Sequence, residues 1–189
     1  MLSTPDITRY KPGLNHLEKR IILVTGAGDG IGKAVAIGAA KSGATVILAG
    51  RTVAKLEQVY KLIIEAGGPE PSIYPVDLAG ATAKDYDDLG VLIDEQFGRL
   101  DGLLHNAAIL GLRSPLTNYS SELWSKVIQV NLTAQFQMTQ SLMTVLEKSQ
   151  DASVIFTTSG VGRVGKAFWG AYAVSKFAIE GMVQTWASE

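Results

Sequence analysis

Apolar and polar positions fall into two kinds of block along this chain. Short, nearly continuous apolar runs rich in β-branched residues occur at RIILVTG (20–26), ATVILAG (44–50), SIYPVDL (72–78), LDGLLHNAAI (100–109) and ASVIFTTS (152–159). Such runs predict strands buried on both faces, as in a parallel sheet. Between them lie longer stretches with helical periodicity: GIGKAVAIGAAKSG (30–43), TVAKLEQVYKLIIEAGG (52–68), AKDYDDLGVLIDEQFG (83–98), SELWSKVIQVNLTAQFQMTQSLMTVLEKS (121–149) and AYAVSKFAIEGMVQTWASE (171–189). In the second of these, Leu56, Val59, Leu62 and Ile63 share one face. Gly43 and the Gly67–Gly68 pair are helix stops. Pro75 weakens the third strand, because proline cannot donate to a ladder. Residues 110–120 and 160–170 read as loops. Strict strand–helix alternation implies parallel strands joined by right-handed crossovers, hence an α/β, doubly wound parallel sheet. With no repeat and no linker, residues 1–189 are expected to form a single domain, with 1–18 as an N-terminal extension.

Composition narrows the chemistry. Of 189 residues, 47% are hydrophobic and 19% charged, which belongs to a globular chain with a real core. The formal net charge of −1 gives no electrostatic case for nucleic acid or an anionic membrane. No apolar run approaches the roughly 20 residues of a membrane span, and the N-terminal stretch lacks a signal-peptide core. There is no cysteine, and the histidines are His16 and His105. Thiolate metal sites, disulfides, a cysteine nucleophile and histidine-based hydrolysis are therefore unsupported, and no metal is expected. A cytoplasmic setting fits.

The first strand–turn–helix carries TGAGDGIG (25–32), with Gly26, Gly28, Gly30 and Gly32. A G-x-G-x-x-G spacing fails at Ile31. A T-G-x-x-x-G-x-G spacing fits Thr25, Gly26, Gly30 and Gly32. Glycines let the backbone turn tightly and approach a pyrophosphate, whose charge suits the free N–H groups of the helix start. This turn gives the predicted sheet a Rossmann-type, dinucleotide-binding character. The second strand runs into LAGRT (48–52). Where an acidic residue would bind a ribose 2′-hydroxyl stands Gly50, followed by Arg51, whose guanidinium suits a 2′-phosphate. NADP(H) is favoured over NAD(H), which stays possible. Asp29, inside the glycine turn, argues the other way.

GAYAVSK (170–176) puts Tyr172 and Lys176 four residues apart, on one helical face. A nearby ammonium favours the phenolate and brings a tyrosine closer to useful acid–base chemistry. Ser159 sits at the end of the fifth strand, on the edge of the sheet where ligands bind in such folds. Asn106 and Asn131 stand where apolar residues would be expected.

Taken together, TGAGDGIG (25–32), VDL with Asp77, HNAA (105–108), VNLTAQF with Asn131, TSG with Ser159, and YAVSK with Tyr172 and Lys176 strongly resemble the short-chain dehydrogenase/reductase family. The likeness runs from about residue 18 onward, in family order and spacing. Within the family the wording is most similar to YciK-type bacterial oxidoreductases. The resemblance implies a hydride transfer between NADP(H) and a carbonyl/alcohol substrate. It implies Tyr172 as general acid/base and Lys176 as its tuner and a ligand of the nicotinamide ribose. Ser159 would hold the substrate oxygen and Asn131 would anchor a relay water. On the cofactor side it implies the turn Gly26, Gly28, Asp29, Gly30, Ile31 and Gly32, with Arg51 at the 2′-phosphate. Asp77 and Leu78 would border the adenine, and Asn106 and Ala107 the adenosine side. A fatty-acid type 3-oxoacyl reductase, or a non-catalytic NADP(H)-binding sensor, are the alternatives.

Two departures stand out. His105 replaces the first Asn of the family's N-N-A-G, which is expected to alter strand packing, and Ala108 replaces its Gly, adding a methyl near the cofactor path. The family pattern also continues beyond the tyrosine helix into further strands and a substrate lid, so the C-terminal end is expected to be truncated here. A homo-oligomer, dimer or tetramer, paired through the Asn131 and Tyr172 helices, is implied as well. Phe177, Met182 and Trp186 could serve that interface or the core.

Overall fold

The computed structural model describes residues 15–189; most of the expected N-terminal extension, 1–14, lies outside the described residues. Five strands form one parallel sheet: β1 (Ile21–Thr25), β2 (Thr45–Gly50), β3 (Ser72–Pro75), β4 (Gly102–His105) and β5 (Ser153–Phe156), in the order β3-β2-β1-β4-β5. Helices α1 (Gly30–Lys41) and α2 (Val53–Glu65) follow β1 and β2. Helix α3 (Ala83–Phe97) connects β3 to β4, and α6 (Gly170–Trp186) follows β5. The doubly wound expectation holds. The chain builds outward from β1 to β3, then crosses back to β4 on the other side of β1. The reversal leaves a crevice at the carboxyl ends of β1 and β4.

Two cores flank the sheet. On one face Val24, Val46, Leu48 and Leu104 pack with Ala36 and Ala40 of α1 and Leu56, Val59 and Ile63 of α2. On the other, Leu23, Ile47 and Leu103 pack with Tyr86, Leu89 and Ile93 of α3 and Met138, Leu142 and Val145. Gly90 permits the helix contact there, since a Cβ would come 3.3 Å from the Ser141 carbonyl. Pro75 ends β3, which is a sheet edge, so its missing N–H breaks no inner ladder.

The strands stop earlier than their apolar runs, because the chain peels off each carboxyl end into site loops. The larger difference lies in the expected long helix 121–149. It is α4 (Ser121–Ile128), a π-helical turn (Gln129–Thr133) and α5 (Ala134–Leu146). Asn131 lies inside the π turn and is fully buried. π-bulges of this kind concentrate at functional sites.

Candidate active site

The glycine turn is built by close packing. Gly26 has φ +66° and Gly30 φ +52°, conformations that side-chain-bearing residues seldom adopt. A Cβ on Gly32 would lie 2.3 Å from the Gly26 carbonyl oxygen and 2.7 Å from Asn106 Nδ2. Gly32 therefore lets α1 start directly against β1. A Cβ on Gly30 would meet nothing within 4 Å, so the turn faces open space there.

Thr25 ties this turn to β4. Its Oγ1 donates to the Leu104 carbonyl at 3.2 Å and accepts from the N–H groups of Asn106 (2.9 Å) and Ala107 (3.1 Å). Asn106 Nδ2 donates to the Thr25 carbonyl at 3.3 Å. The Asn106 amide is thus spent on the turn, while Ala107, Ala108 and Ile109 face the adjoining cleft.

That cleft encloses about 280 Å³ at the carboxyl ends of β1, β2 and β3. Gly26, Gly28, Asp29, Arg51, Asp77, Leu78 and Ala107, all candidates for cofactor contact from the sequence, line it. Gly30, Ile31, Gly32 and Asn106 are not among its lining residues, and Ile31 stands exposed on the first turn of α1. Asp77 also turns the chain: its Oδ1 accepts from the Ala79 N–H at 3.1 Å. Lys55 and Lys126 are cationic cleft residues that the sequence reading does not name; Lys55 is the one held to the glycine turn. Its Nζ reaches Asp29 Oδ2 at 2.6 Å, and that bond, followed by one from the Gly30 N–H, holds the Asp29 carboxyl below the usual carboxylate range. The available signal was proximity in sequence: Lys55 lies in the first turn of α2, just after the strand end that carries Arg51. Arg51 is exposed and also lines the cleft. One end of the cleft therefore carries two cations and an acid already neutralised by one of them. These residues fit a dinucleotide: a tight glycine cradle, an open slot and a cationic end.

The second group of residues lies where β4 and β5 end. Tyr172 and Lys176 share a face of α6, and Lys176 Nζ stands 5.5 Å from the centroid of the Tyr172 ring. Lys176 is 1% exposed; burial pushes its ammonium down to about 8. Its Nζ donates to the Thr157 carbonyl at 2.6 Å. A Cβ on Gly162 would sit 2.9 Å from Lys176 Cβ, so only glycine lets the loop after β5 lie flat on α6 at this point. Ser159 heads that loop, half-buried, its Oγ accepting from the Val161 N–H at 3.5 Å.

Asn131 links the two groups. Its Oδ1 accepts from the Ile109 N–H at 2.8 Å, and its Nδ2 donates to the Ile109 carbonyl at 2.9 Å and to Ser175 Oγ at 3.1 Å. Ser175 Oγ donates in turn to the Tyr172 carbonyl at 2.8 Å. Ile109 lines the cleft, so one amide side chain holds both the cleft wall and the tyrosine turn. Ser175 stands inside YAVSK, but its bond to Asn131 is not legible there, because the partner is 44 positions away.

His105 is a packing residue, as expected. It is 1% exposed and stacks on Phe156 with centroids 4.7 Å apart. Thr139 Oγ1 donates to the Gln135 carbonyl at 2.9 Å and so accepts from His105 Nε2, at 2.8 Å. That makes Nε2 the protonated nitrogen and leaves Nδ1 without a partner among the described residues. Burial pushes the imidazolium down to about 3.

A parallel sheet with a glycine cradle at its crevice and a Tyr–Lys pair at the adjacent strand ends defines a dinucleotide-dependent oxidoreductase fold. The short chain dehydrogenase family model matches residues 20–189, and the chain belongs to that family. It is 48% identical over 180 residues to the oxidoreductase YciK of Escherichia coli, covering 95% of this chain and 71% of that one. Two solved structures are similar. A short chain dehydrogenase from Shigella flexneri complexed with NADP has a TM-score of 0.91 and 46% identity, covering 93% of this chain and 74% of the other. A short chain dehydrogenase from Escherichia coli complexed with NADPH has a TM-score of 0.91 and 48% identity, covering 94% and 74%.

Proposed function

We propose that this protein is an NADP(H)-dependent oxidoreductase interconverting a carbonyl and an alcohol, with Tyr172 as the general acid/base. The observation that carries this reading is the Tyr172–Lys176 pair on one face of α6, with a buried Lys176 beside the Tyr172 ring. NADP and NADPH complexes of similar dehydrogenases support the choice of cofactor.

When bound, the cofactor supplies or accepts hydride at the substrate carbon. The chain's own residues do the rest. The turn Gly26–Gly32 offers its N–H groups and the positive end of α1 to the pyrophosphate. Arg51, aided by Lys55, would receive the 2′-phosphate, with Asp77 and Leu78 along the adenine and Ala107 on the adenosine side. Lys176 would bond the nicotinamide ribose with a proton not given to Thr157. In reduction, Tyr172 passes its phenolic proton to the carbonyl oxygen as negative charge builds there. Ser159 donates to the same oxygen and stabilises that charge. A protonated Lys176 favours the phenolate left behind. The oxidative direction runs the same proton back to Tyr172. The relay role implied for Asn131 would use the second lone pair of Oδ1, since its other polar capacity is taken up by Ile109 and Ser175.

The same reading makes the protein a cytoplasmic homo-oligomer. Phe177 and Val174 of α6 and Phe136 and Met143 of α5 leave apolar surface exposed for that contact, and Trp186 stacks on Phe136 with ring centroids 5.8 Å apart. No helix among the described residues is long and apolar enough to cross a membrane.

Tyr172→Phe is the test. NADPH-dependent turnover of an active carbonyl should fall about 100- to 10,000-fold, the scale of losing a general acid, while NADPH still binds. Retained turnover refutes the role of Tyr172. NADPH binding with no turnover of any carbonyl by the unmutated protein would favour the sensor reading.

A further inference from the structure

The rim beside Tyr172 is formed by the loop after β4 and the residues that open α6. Tyr119 fixes the two together. Its hydroxyl accepts from the Leu112 N–H at 3.2 Å. Its ring fills space that a side chain on either neighbouring glycine would need: a Cβ on Gly111 would lie 2.2 Å from the hydroxyl oxygen, and one on Gly170 2.7 Å from Cε2. Both glycines have positive φ, +70° and +40°. The loop is therefore wedged against the start of α6.

Arg113 projects from this wedged loop. Its Cζ lies 4.3 Å from the centroid of the Trp169 ring, and Trp169 lies 5.9 Å from the ring of Tyr172. Arg113 makes no ion pair or hydrogen bond with any of the described residues. A guanidinium stacked on an aromatic ring spends its face there and keeps its in-plane N–H groups, the edge that matches a carboxylate or phosphate. Leu112 (56% exposed) and Phe168 (58%) present apolar side chains on the same two segments. Phe168 stands at φ +69°, a strained conformation for a bulky residue, and such strain gathers at ligand sites.

We propose that this rim selects the substrate: a carbonyl or alcohol compound with a short apolar body and an anionic group, carboxylate or phosphate, gripped by Arg113. The proposal rests on the reading of Tyr172 as the acid that serves the carbonyl. Trp169 sets the spacing between the reacting oxygen and the anion.

The experiment uses the intact protein saturated with NADPH and matched pairs of oxo-acids and their methyl esters, with the ketone at increasing distance from the carboxyl group. Phosphorylated and unphosphorylated hydroxyketones form a second arm and separate the two anion sources. Expected is a kcat/KM at least tenfold higher for the anion than for its neutral partner at the best spacing. Arg113→Gln should collapse that ratio at least tenfold through the KM of the anion, and Arg113→Lys should restore part of it. Equal or better turnover of the neutral members at every spacing overturns the proposal while leaving the oxidoreductase reading intact. A ratio unmoved by Arg113→Gln overturns it too, as does turnover of no anionic member. The oxidoreductase reading itself fails separately, if the unmutated protein binds NADPH and turns over no carbonyl, anionic or neutral; retained activity in Tyr172→Phe removes only the role of Tyr172.

Discussion

Asn131 and Ser175, 44 positions apart, meet in a buried hydrogen bond of 3.1 Å that connects the π turn to the tyrosine helix. Asn131 spends its other polar contacts on both backbone groups of Ile109. Replacing it with Ala strands the Ile109 N–H and carbonyl and the Ser175 hydroxyl acceptor. The expected cost is about 3 kcal/mol, since each orphaned group costs about 1–3 kcal/mol, or a Tm lower by roughly 6–12 °C. Ser175→Ala, losing fewer partners, should cost about 1 kcal/mol. A melting curve for Asn131→Ala within 2 °C of the parent's would remove Asn131 from this structural role (roughly the resolution of the method, against the shift expected).

The Asp29–Lys55 pair sets an expectation for cofactor choice. Both side chains are largely exposed, so the pair itself is worth little and leaves Lys55 able to turn to a phosphate. Under the NADP(H) reading, Lys55→Ala should weaken NADPH binding about tenfold and NADH binding hardly at all, one charge-assisted contact being worth about 1.5–3 kcal/mol. Arg51→Ala should do the same or more. Asp29→Ala should keep or improve NADPH affinity, because the competing carboxylate is gone. Fluorescence titrations decide this; equal losses for both cofactors in Lys55→Ala would mean Lys55 does not touch the 2′-phosphate.

Lys176 makes stability depend on alkaline pH. Its ammonium, near 10.5 when unfolded, is pushed by burial down to about 8 in the fold. Between those values the unfolded chain holds a proton that the folded one has released. Stability therefore rises with pH across about 8 to 10.5, with a slope of at most about 1.4 kcal/mol per pH unit, and the penalty is fully present below 8. Urea midpoints of the parent against Lys176→Met, which lacks the titration, should diverge in that window. Parallel profiles would contradict a depressed Lys176.

His105 acts on the acid side. Burial lowers its imidazolium from 6.5 to about 3. Below 6.5 the unfolded chain takes up a proton that the fold refuses, so stability falls as pH drops from 6.5 toward 3. His105→Gln should flatten that part of the acid-denaturation profile even if it lowers stability overall. An acid limb unchanged in steepness would show that His105 titrates normally.

Much of this was legible because it is local. The strand–helix alternation, the glycine turn and the Tyr172–Lys176 spacing each lie within a dozen residues, where apolar periodicity and backbone freedom act directly. Pro75 could be weighed from its missing N–H alone, and it ends an edge strand. The long helix 121–149 misled for the same reason. Its periodicity is continuous, and only the Ile109 backbone arriving from another loop reveals why the turn at Asn131 widens.

By itself, then, the sequence determined the order of elements and the parallel sheet, and it named the candidate residues for the chemistry, since those follow from period, propensity and side-chain type. Tertiary structure decided what those residues touch. It paired Asp29 with Lys55, buried Lys176 under Gly162 and the Thr157 carbonyl, fixed the protonated nitrogen of His105, and wedged Tyr119 so that Arg113 lies over Trp169 beside Tyr172. Those relations depend on where distant segments close upon one another. Close packing of the whole chain, not the propensity of any stretch, sets them.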